Sequence, residues 1–425
     1  MGKVMRPTLP ALVALLVATA TVAAGAPVPL PADADAGPAT GTDTAGQQPS
    51  TAPIDTVQNS SDYLSLSGQT RSSAEFGNAT LDVAGTVAMD NGRLRTSFNE
   101  TATLQAFRSA DNSTARTAIV ERTANRIDNR TAALQDRQQR AVSAYNRGEL
   151  SAEAFLQRLA VIDAEAQRFD TYIGTVLRTT SRTPGYSLPN SLRTRLESLR
   201  VEPIILQGPV RTNVRRSVSG EDDAFGVYIE TTNDGIILAR LAGNRYVREA
   251  LLADEYQQPG PDQFKQGEQA PISTAYERAQ TLYPWTFENA ITTPSATGYG
   301  STPIYQISVD HTQGQLVSYI DGTTTNVFRE TQEKRLSRLP LTGNATNSTD
   351  ALGVRARLSH ESGPMNVSVV DETGEPVDAR VTLNGQFVGQ TGSDGALWAI
   401  QPHGPVTLNA TTSAGERVTL QLDGN

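Results

Sequence analysis

The chain contains no cysteine. That excludes disulfides, thiolate metal sites, a cysteine nucleophile and lipid attachment through a lipobox-type cysteine. An exported chain of this kind must be held together by packing alone. Histidine is almost as scarce, with only His311, His360 and His403. His311 reads as a turn residue, His360 as part of a linker and His403 as part of a Gly-Pro loop. None has a second histidine or a carboxylate at ligand spacing, so all three read as structural or solvent-exposed imidazoles. Lysine is limited to Lys3, Lys265 and Lys334, and nearly every other cation is arginine. No G-x-S-x-G elbow, H-E-x-x-H helix or phosphate-binding loop occurs. The expectation is therefore a chain that is not an enzyme and that uses no cofactor and no metal.

The net charge of −9 is small and mixed, which argues against a nucleic-acid partner. A length of 425 residues allows two to four domains with a real core. Few lysines, no cysteine and an acid excess together fit a high-salt source with a GC-rich genome. Lys3 and Arg6 precede an apolar run, Leu9 to Ala24, and Ala24-Gly25-Ala26 supplies the small residues that a signal peptidase reads. Residues 1–26 thus read as an export signal, with the mature chain starting near Pro27. The alternative is an uncleaved anchor, although the run is short for a bilayer span of about 20 residues. That anchor is the only membrane contact expected. Residues 27–60 are Pro, Ala, Thr, Gly and Asp with few large apolar side chains, the composition of a disordered tether. The expected location is extracytoplasmic, either secreted or on the cell surface.

Residues 61–182 read as a helical domain. Phe155, Leu159, Ile162, Ala166, Phe169, Ile173 and Val176 are spaced 4, 3, 4, 3, 4, 3, the seam of a helix packed along another helix. Val120, Ile127, Leu134 and Ala141 recur at sevens just before, with Ala124 and Tyr145 one turn on. Between these stripes Gly148 suits a helix end and Ser151 an N-cap, with Glu153 in the first turn. The pattern predicts an antiparallel αα-hairpin. Upstream, Ala84, Val87, Leu94, Phe98, Thr101 and Leu104 form the stripe of a third helix packed on the hairpin, and Asn91-Gly92 argues for a break. Arg116, Arg122, Arg126, Arg130, Arg137 and Arg140 interleave with Glu121, Asp128 and Asp136. This reads as a solvated helix face, the alternative being a surface for an acidic envelope polymer.

Residues 183–338 read as a mixed α/β domain. Thr183-Pro184-Gly185 stops the hairpin, and a short helix over 191–200 follows. Strands are expected at Phe225–Glu230 and Ile236–Leu241 around Asp234-Gly235. A helix is expected over 273–282, capped by Ser273 or Thr274. Strands Ile304–Asp310 and Gln315–Asp321 flank the turn His311–Gly314, and a third begins near Thr325. The helix, strand, D-x-T-x-G turn and strand resemble the PepSY domain over about 270–330. The resemblance rests on Tyr305, Val309, Asp310, Gly314, Leu316, Val317, Asp321 and Gly322. It implies a small α/β module of the kind found in propeptides of secreted peptidases.

Residues 339–362 read as a polar linker. Nine Asn-x-Ser/Thr sequons occur in the chain, and Asn344 and Asn347 sit together in this stretch as possible glycosylation sites. Residues 363–425 read as an all-β sandwich, with Val367, Val369, Val381, Leu383, Leu397 and Leu408 as alternating core positions. The motif from Val369 through Val377, then Ala379 through Leu383 and Thr391 through Gly395, resembles the carboxypeptidase regulatory-like domain. That implies a transthyretin-like sandwich.

Other polar groupings read as ordinary. Asp371-Glu372 with Glu375, and Asp321 with Asp310, lack the ligand density of a calcium loop. Glu221-Asp222-Asp223 reads as a solvated loop. Tyr283, Trp285, Phe287 and Tyr299 read as core, or alternatively as a peptide- or glycan-binding patch. The fold class expected is multi-domain α+β: a helical hairpin or bundle, a central α/β part and a β-sandwich. The whole order resembles a group of secreted haloarchaeal proteins. The function expected is a non-catalytic envelope module that binds or spaces another surface protein or glycan. The alternatives are a regulator of secreted peptidases and, less favoured, a hydrolase with an unrecognised site.

Overall fold

An eight-stranded antiparallel sheet divides the molecule into two sides, and what each side buries decides where the rest of the chain packs. The computed structural model describes residues 53–66, 72–300 and 302–423. The expected export signal, and the expected tether up to residue 52, lie outside the described residues.

In chain order, β1 (Ile54–Asp55) pairs with β2 (Tyr63–Leu64), and β3 (Ser73–Ala79) follows. Five helices come next: α1 (Val83–Ser109), α2 (Ser113–Asn146), α3 (Ala152–Arg182), α4 (Asn190–Val201) and α5 (Pro209–Val218). β4 (Phe225–Thr231), β5 (Gly235–Ala242) and β6 (Arg245–Leu252) form a meander. After α6 (Pro271–Leu282) and α7 (Pro284–Glu288) come β7 (Ser295–Gly298), β8 (Ile304–His311), β9 (Gly314–Asp321) and β10 (Asn326–Arg335). The sheet order is β3-β4-β5-β6-β10-β9-β8-β7.

Strand alternation sends Val227, Ile229, Ile236, Leu238, Val247 and Leu251 to one side, where they share a core with α2 to α5. The hairpin seam lies in this core, and all thirteen positions that the stripes name in α2 and α3 are buried. Ser151 caps α3 by accepting from Ala154 N (3.2 Å), and Gly148 takes φ +70° at the break. The other side presents Ile237, Ala250, Leu252, Ile307, Val309, Leu316 and Ile320 to Ala275, Ala279 and Leu282 of α6 and to Leu64 and Leu66.

Several expectations need correction. The tether does not extend to residue 60: 53–66 lie on the sheet's second side, with Ser60, Ser61, Asp62 and Leu64 buried. Their polar composition hid this, because long-range hydrogen bonds hold them alongside the few apolar anchors, Leu64 and Leu66. The helical domain is not a separate unit, since β3 joins the sheet beside β4, and α4 and α5 join the helical layer. Gly77 permits that, because a Cβ there would sit 2.8 Å from Ala152 Cβ. No break occurs at Asn91-Gly92, as α1 runs through it. α6 starts two residues before Ser273, with Pro271 in its first turn and no side-chain cap.

The linker expected at 339–362 is mostly strand. β11 (Gly343–Ser348) and β12 (Leu352–Leu358) are followed by β13 (Pro364–Asp371), β14 (Ala379–Leu383), β15 (Gln386–Gln390), β16 (Ala396–Ile400), β17 (Val406–Thr412) and β18 (Arg417–Leu422). They form two four-stranded sheets, β11-β12-β13-β16 and β15-β14-β17-β18. β11 is an edge strand with little to bury, so its order comes from pairing with β12, whose Leu352, Val354 and Ala356 enter the sandwich core. The sandwich docks on the sheet's second side, where Ile400 and Trp398 pack with Tyr228, Ala239 and Tyr246.

Candidate functional site

The outer helices enclose a groove of about 420 Å³. α1 contributes Arg95, Thr96 and Asn99, α2 contributes Arg126, Ile127 and Arg130, and α3 contributes Glu165, Phe169 and Tyr172. The inward face of α1 is built of small and polar side chains, among them Gly85, Thr96 and Thr103, so it cannot fill the space above the hairpin seam. Tyr172 bridges instead: its hydroxyl meets Thr103 Oγ1 (2.8 Å) and donates to Asn99 O (3.2 Å). The groove floor is apolar, from Ile127 and Phe169, and its rim is cationic. Arg130 is tied to buried Glu165, with Nη2 donating to Oε2 (2.8 Å). That hydrogen bond raises the guanidinium pKa of Arg130 against the opposing effect of burial. Arg95 and Arg126 form no ion pair among the described residues, and both are exposed. Three of the six arginines assigned to a solvated face, Arg122, Arg126 and Arg140, are exposed, whereas Arg116, Arg130 and Arg137 are half-buried.

A second, larger groove of about 870 Å³ runs between α2, α4 and the loops at 256–260 and 302–304. Its lining is amide and carboxylate, from Asp128, Gln135, Gln139, Glu202 and Gln258, with Tyr256 as the aromatic wall. Burial, and then the nearby Asp128, push the Glu202 carboxyl up to about 7. Asp128 itself accepts from Arg195 Nη2 (2.7 Å).

The sheet's second side carries a buried polar cluster that sequence reasoning missed. Arg248 Nη1 donates to Glu330 Oε1 (3.1 Å) and Nη2 to Leu64 O (2.6 Å). Tyr283 OH and Leu64 N both donate to Glu330 Oε2, at 2.7 and 2.8 Å. Gln332 Nε2 donates to Asp62 O (2.8 Å), and Lys334 Nζ reaches Ser60 Oγ and Ser61 O, both at 3.3 Å. Burial depresses the Lys334 ammonium to about 7. On β10, Glu330, Gln332 and Lys334 alternate in phase as a polar stripe. The segment 53–66 covers it.

The residues singled out from sequence fall as follows. His311 closes β8, is buried, and lies edge-on to Trp285 (5.5 Å). His360 stacks on Tyr63 (4.6 Å), while His403 Nδ1 lies 2.9 Å from Glu361 Oε2. Among the described residues no group of three or more His, Asp or Glu side chains is placed to hold a metal. Asp371 Oδ1 accepts from Thr373 N and Glu375 N, closing its own turn. Asp321 accepts from Gln257 N (2.8 Å) and Thr323 N (2.8 Å) and holds the 256–260 loop. Asp222 pairs with Arg216 (2.9 Å). The four aromatics do not form one patch, because Tyr283 and Phe287 lie on the α6 side and Tyr299 on the helical side. Asn344 is exposed on β11, whereas the Asn347 amide donates to Thr419 O (2.6 Å).

These features define a mixed α+β protein with an outer helical layer, a central antiparallel sheet and an appended β-sandwich. Residues 5–223, more than half of the chain, match the family described as Domain of unknown function (DUF7096), and the chain belongs to that family. Residues 227–340 match a Family of unknown function (DUF7094), and residues 343–419 an archaeal fibronectin-III type-like domain. No curated protein and no solved structure matches the chain.

Proposed function

We propose that this chain is a non-catalytic, exported cell-envelope protein that binds or spaces other surface components. The observation that carries this reading is the groove between α1, α2 and α3. Its apolar floor and its two unpaired guanidinium groups, Arg95 and Arg126, suit an acidic polymer with some apolar character. The cysteine-free composition and the signal-like residues 1–26 support export, and the appended sandwich supports a modular surface role. Exposed Asn344 is the better placed of the two sequons for a glycan. A poly-L-glutamate oligomer titrated into the full chain tests the groove. Binding should weaken at least about tenfold, or roughly 1.4 kcal/mol, in the Arg95→Ala, Arg126→Ala double variant while the melt stays unchanged. Equal affinity for both proteins, or binding by neither, defeats the reading.

A second reading is favoured by the order of α6 and then β8, β9 and β10, with α6 packed on β8 and β9. This is the arrangement that underlies the PepSY-like resemblance, and it supports a role in regulating secreted peptidases. The sandwich motif at Val369–Val377 supports a carboxypeptidase regulatory-like, transthyretin-like reading within the fibronectin-III type-like match. Inhibition of a secreted peptidase by the full chain, lost when the α6 face is altered, would select this second role.

A further inference from the structure

The two faces of α1 are reversed relative to what its sequence stripe predicts. The buried face carries Gly85, Thr96, Thr103 and Phe107. Val83, Val87, Leu94 and Phe98 fall within about 60° of arc on the opposite face, at 3.6 residues per turn. They are 71, 53, 63 and 73 % exposed, and Leu81 just before them is 64 % exposed. Only two other large apolar side chains among the described residues, Ile291 and Phe387, are exposed to this degree, and both lie far away in sequence. Isolated exposed apolar residues are ordinary, but four gathered on one face of a 27-residue helix, with Leu81 just before it, mark a surface that meets something apolar.

The surrounding charge restricts what that can be. Residues 83–182 hold fourteen arginines against eleven acidic residues, in a chain whose net charge is −9. Two of those acids, Asp163 and Glu165, are buried. Arg93 and Arg95 flank the apolar stripe, and Asp90 beside it is paired with Arg93 (3.1 Å). Arg108 closes the stripe next to Arg178 and Arg182 at the end of α3. A second copy of the chain on this face would set one basic rim against another, which is unfavourable. An anionic lipid surface satisfies both parts, with acyl chains for the stripe and headgroups for the long arginine side chains.

We propose that the outer face of α1 docks on an anionic lipid surface, with the helix lying in the interfacial plane. The proposal rests on the outer stripe of α1 and not on what the neighbouring groove binds, although Arg95 borders both. This docking would be a membrane contact besides that of the N-terminal apolar run, which was expected only if that run stays uncleaved.

The absence of cysteine makes a local test possible in the full chain. Val87→Cys carries an environment-sensitive fluorophore, and Ser413→Cys in the sandwich carries the control label. Vesicles of phosphatidylglycerol and phosphatidylcholine should blue-shift the label at position 87 and raise its intensity severalfold. Brominated acyl chains should quench it, and the control should not change. Adding Leu94→Asp and Phe98→Asp to the Val87→Cys protein should abolish the shift while circular dichroism and the melt stay as before. A label at 87 that remains in a water-like environment on vesicle-bound protein overturns the proposal, since other parts of the chain then hold the membrane. An equal response to pure phosphatidylcholine overturns its anionic component. A dimer in sedimentation that Leu94→Asp, Phe98→Asp dissociates, with no vesicle response, assigns the face to a second copy instead.

Discussion

Single side chains explain how so polar a protein holds together without disulfides. Arg211 and Glu249 are both buried and meet at 2.9 Å. Glu249 also accepts from Val210 N (2.8 Å), capping α5, and Arg211 donates to Gln138 (2.7 Å). Gly208 makes room for this: a Cβ there would lie 1.9 Å from Glu249 Oε2. Each of these two buried charges thus has its partner, the condition under which such groups are tolerated. His311 is a different case. Burial, and then Lys334, depress its pKa to about 4, from an ordinary 6.5. Between those values the folded protein binds fewer protons at this site than the unfolded chain does. Stability contributed through His311 is therefore complete above pH 6.5 and is lost as pH falls toward 4. His311→Asn keeps an acceptor for Gln313 N and removes the titration. Urea denaturation of both proteins should show wild type losing ground to the variant across that window and running parallel to it above. A constant difference from pH 7 to 4 would mean that the imidazole is not held neutral by the fold.

At the scale of elements, α1 and α3 make the useful contrast. Ile162 is mid-seam on α3 and buried, whereas Leu94 is on the outer face of α1. Ile162→Asp must bury a carboxylate or pull the helix away, at a cost of at least about 3 kcal/mol. Leu94→Asp should change stability by roughly half a kcal/mol or less. Thermal melts followed by circular dichroism compare the two; a large loss from Leu94→Asp would mean that the stripe is covered within the molecule. The stripes of α2 and α3 were legible because each helix buries one continuous apolar face against its neighbour. The stripe of α1 was weaker, and it gave the existence of the helix but misled about its orientation, because a periodic pattern gives an orientation only if the apolar face is the one that packs inside the chain.

At the scale of the whole molecule, the segment 53–66, the sheet and the sandwich share one buried layer. Ser362 Oγ donates to Glu230 Oε2 (2.9 Å), Tyr246 OH to Ser362 O (3.1 Å) and Phe76 N to Gln386 Oε1 (3.0 Å). With this docking, the sandwich should not behave as a bead on a flexible linker. Calorimetry of the full chain should give one main transition, and Ile400→Asp, placed in the apolar contact with Tyr228 and Tyr246, should split it into two. Two well-separated transitions already present in wild type would show that the contact does not couple them.

The sequence by itself determined what neighbouring residues can settle: the two hairpin helices with Gly148 and Ser151 at their break, the strands β4, β5, β8 and β9, their Asp-Gly and Gly turns, and the alternating core of the sandwich. These depend on periodicity and on local backbone preference, which are written in adjacent residues. Only the tertiary structure decided which face of α1 is buried, that β3 pairs with β4, that β11 is a strand, and that Lys334 and Glu330 are covered. Each of these depends on a partner far away in the chain. Ser61 and Gln332, for example, are joined by one hydrogen bond of 2.8 Å, yet they lie 271 positions apart. Polar contacts of this range leave no period in the sequence, because either side chain alone looks like one meant for water.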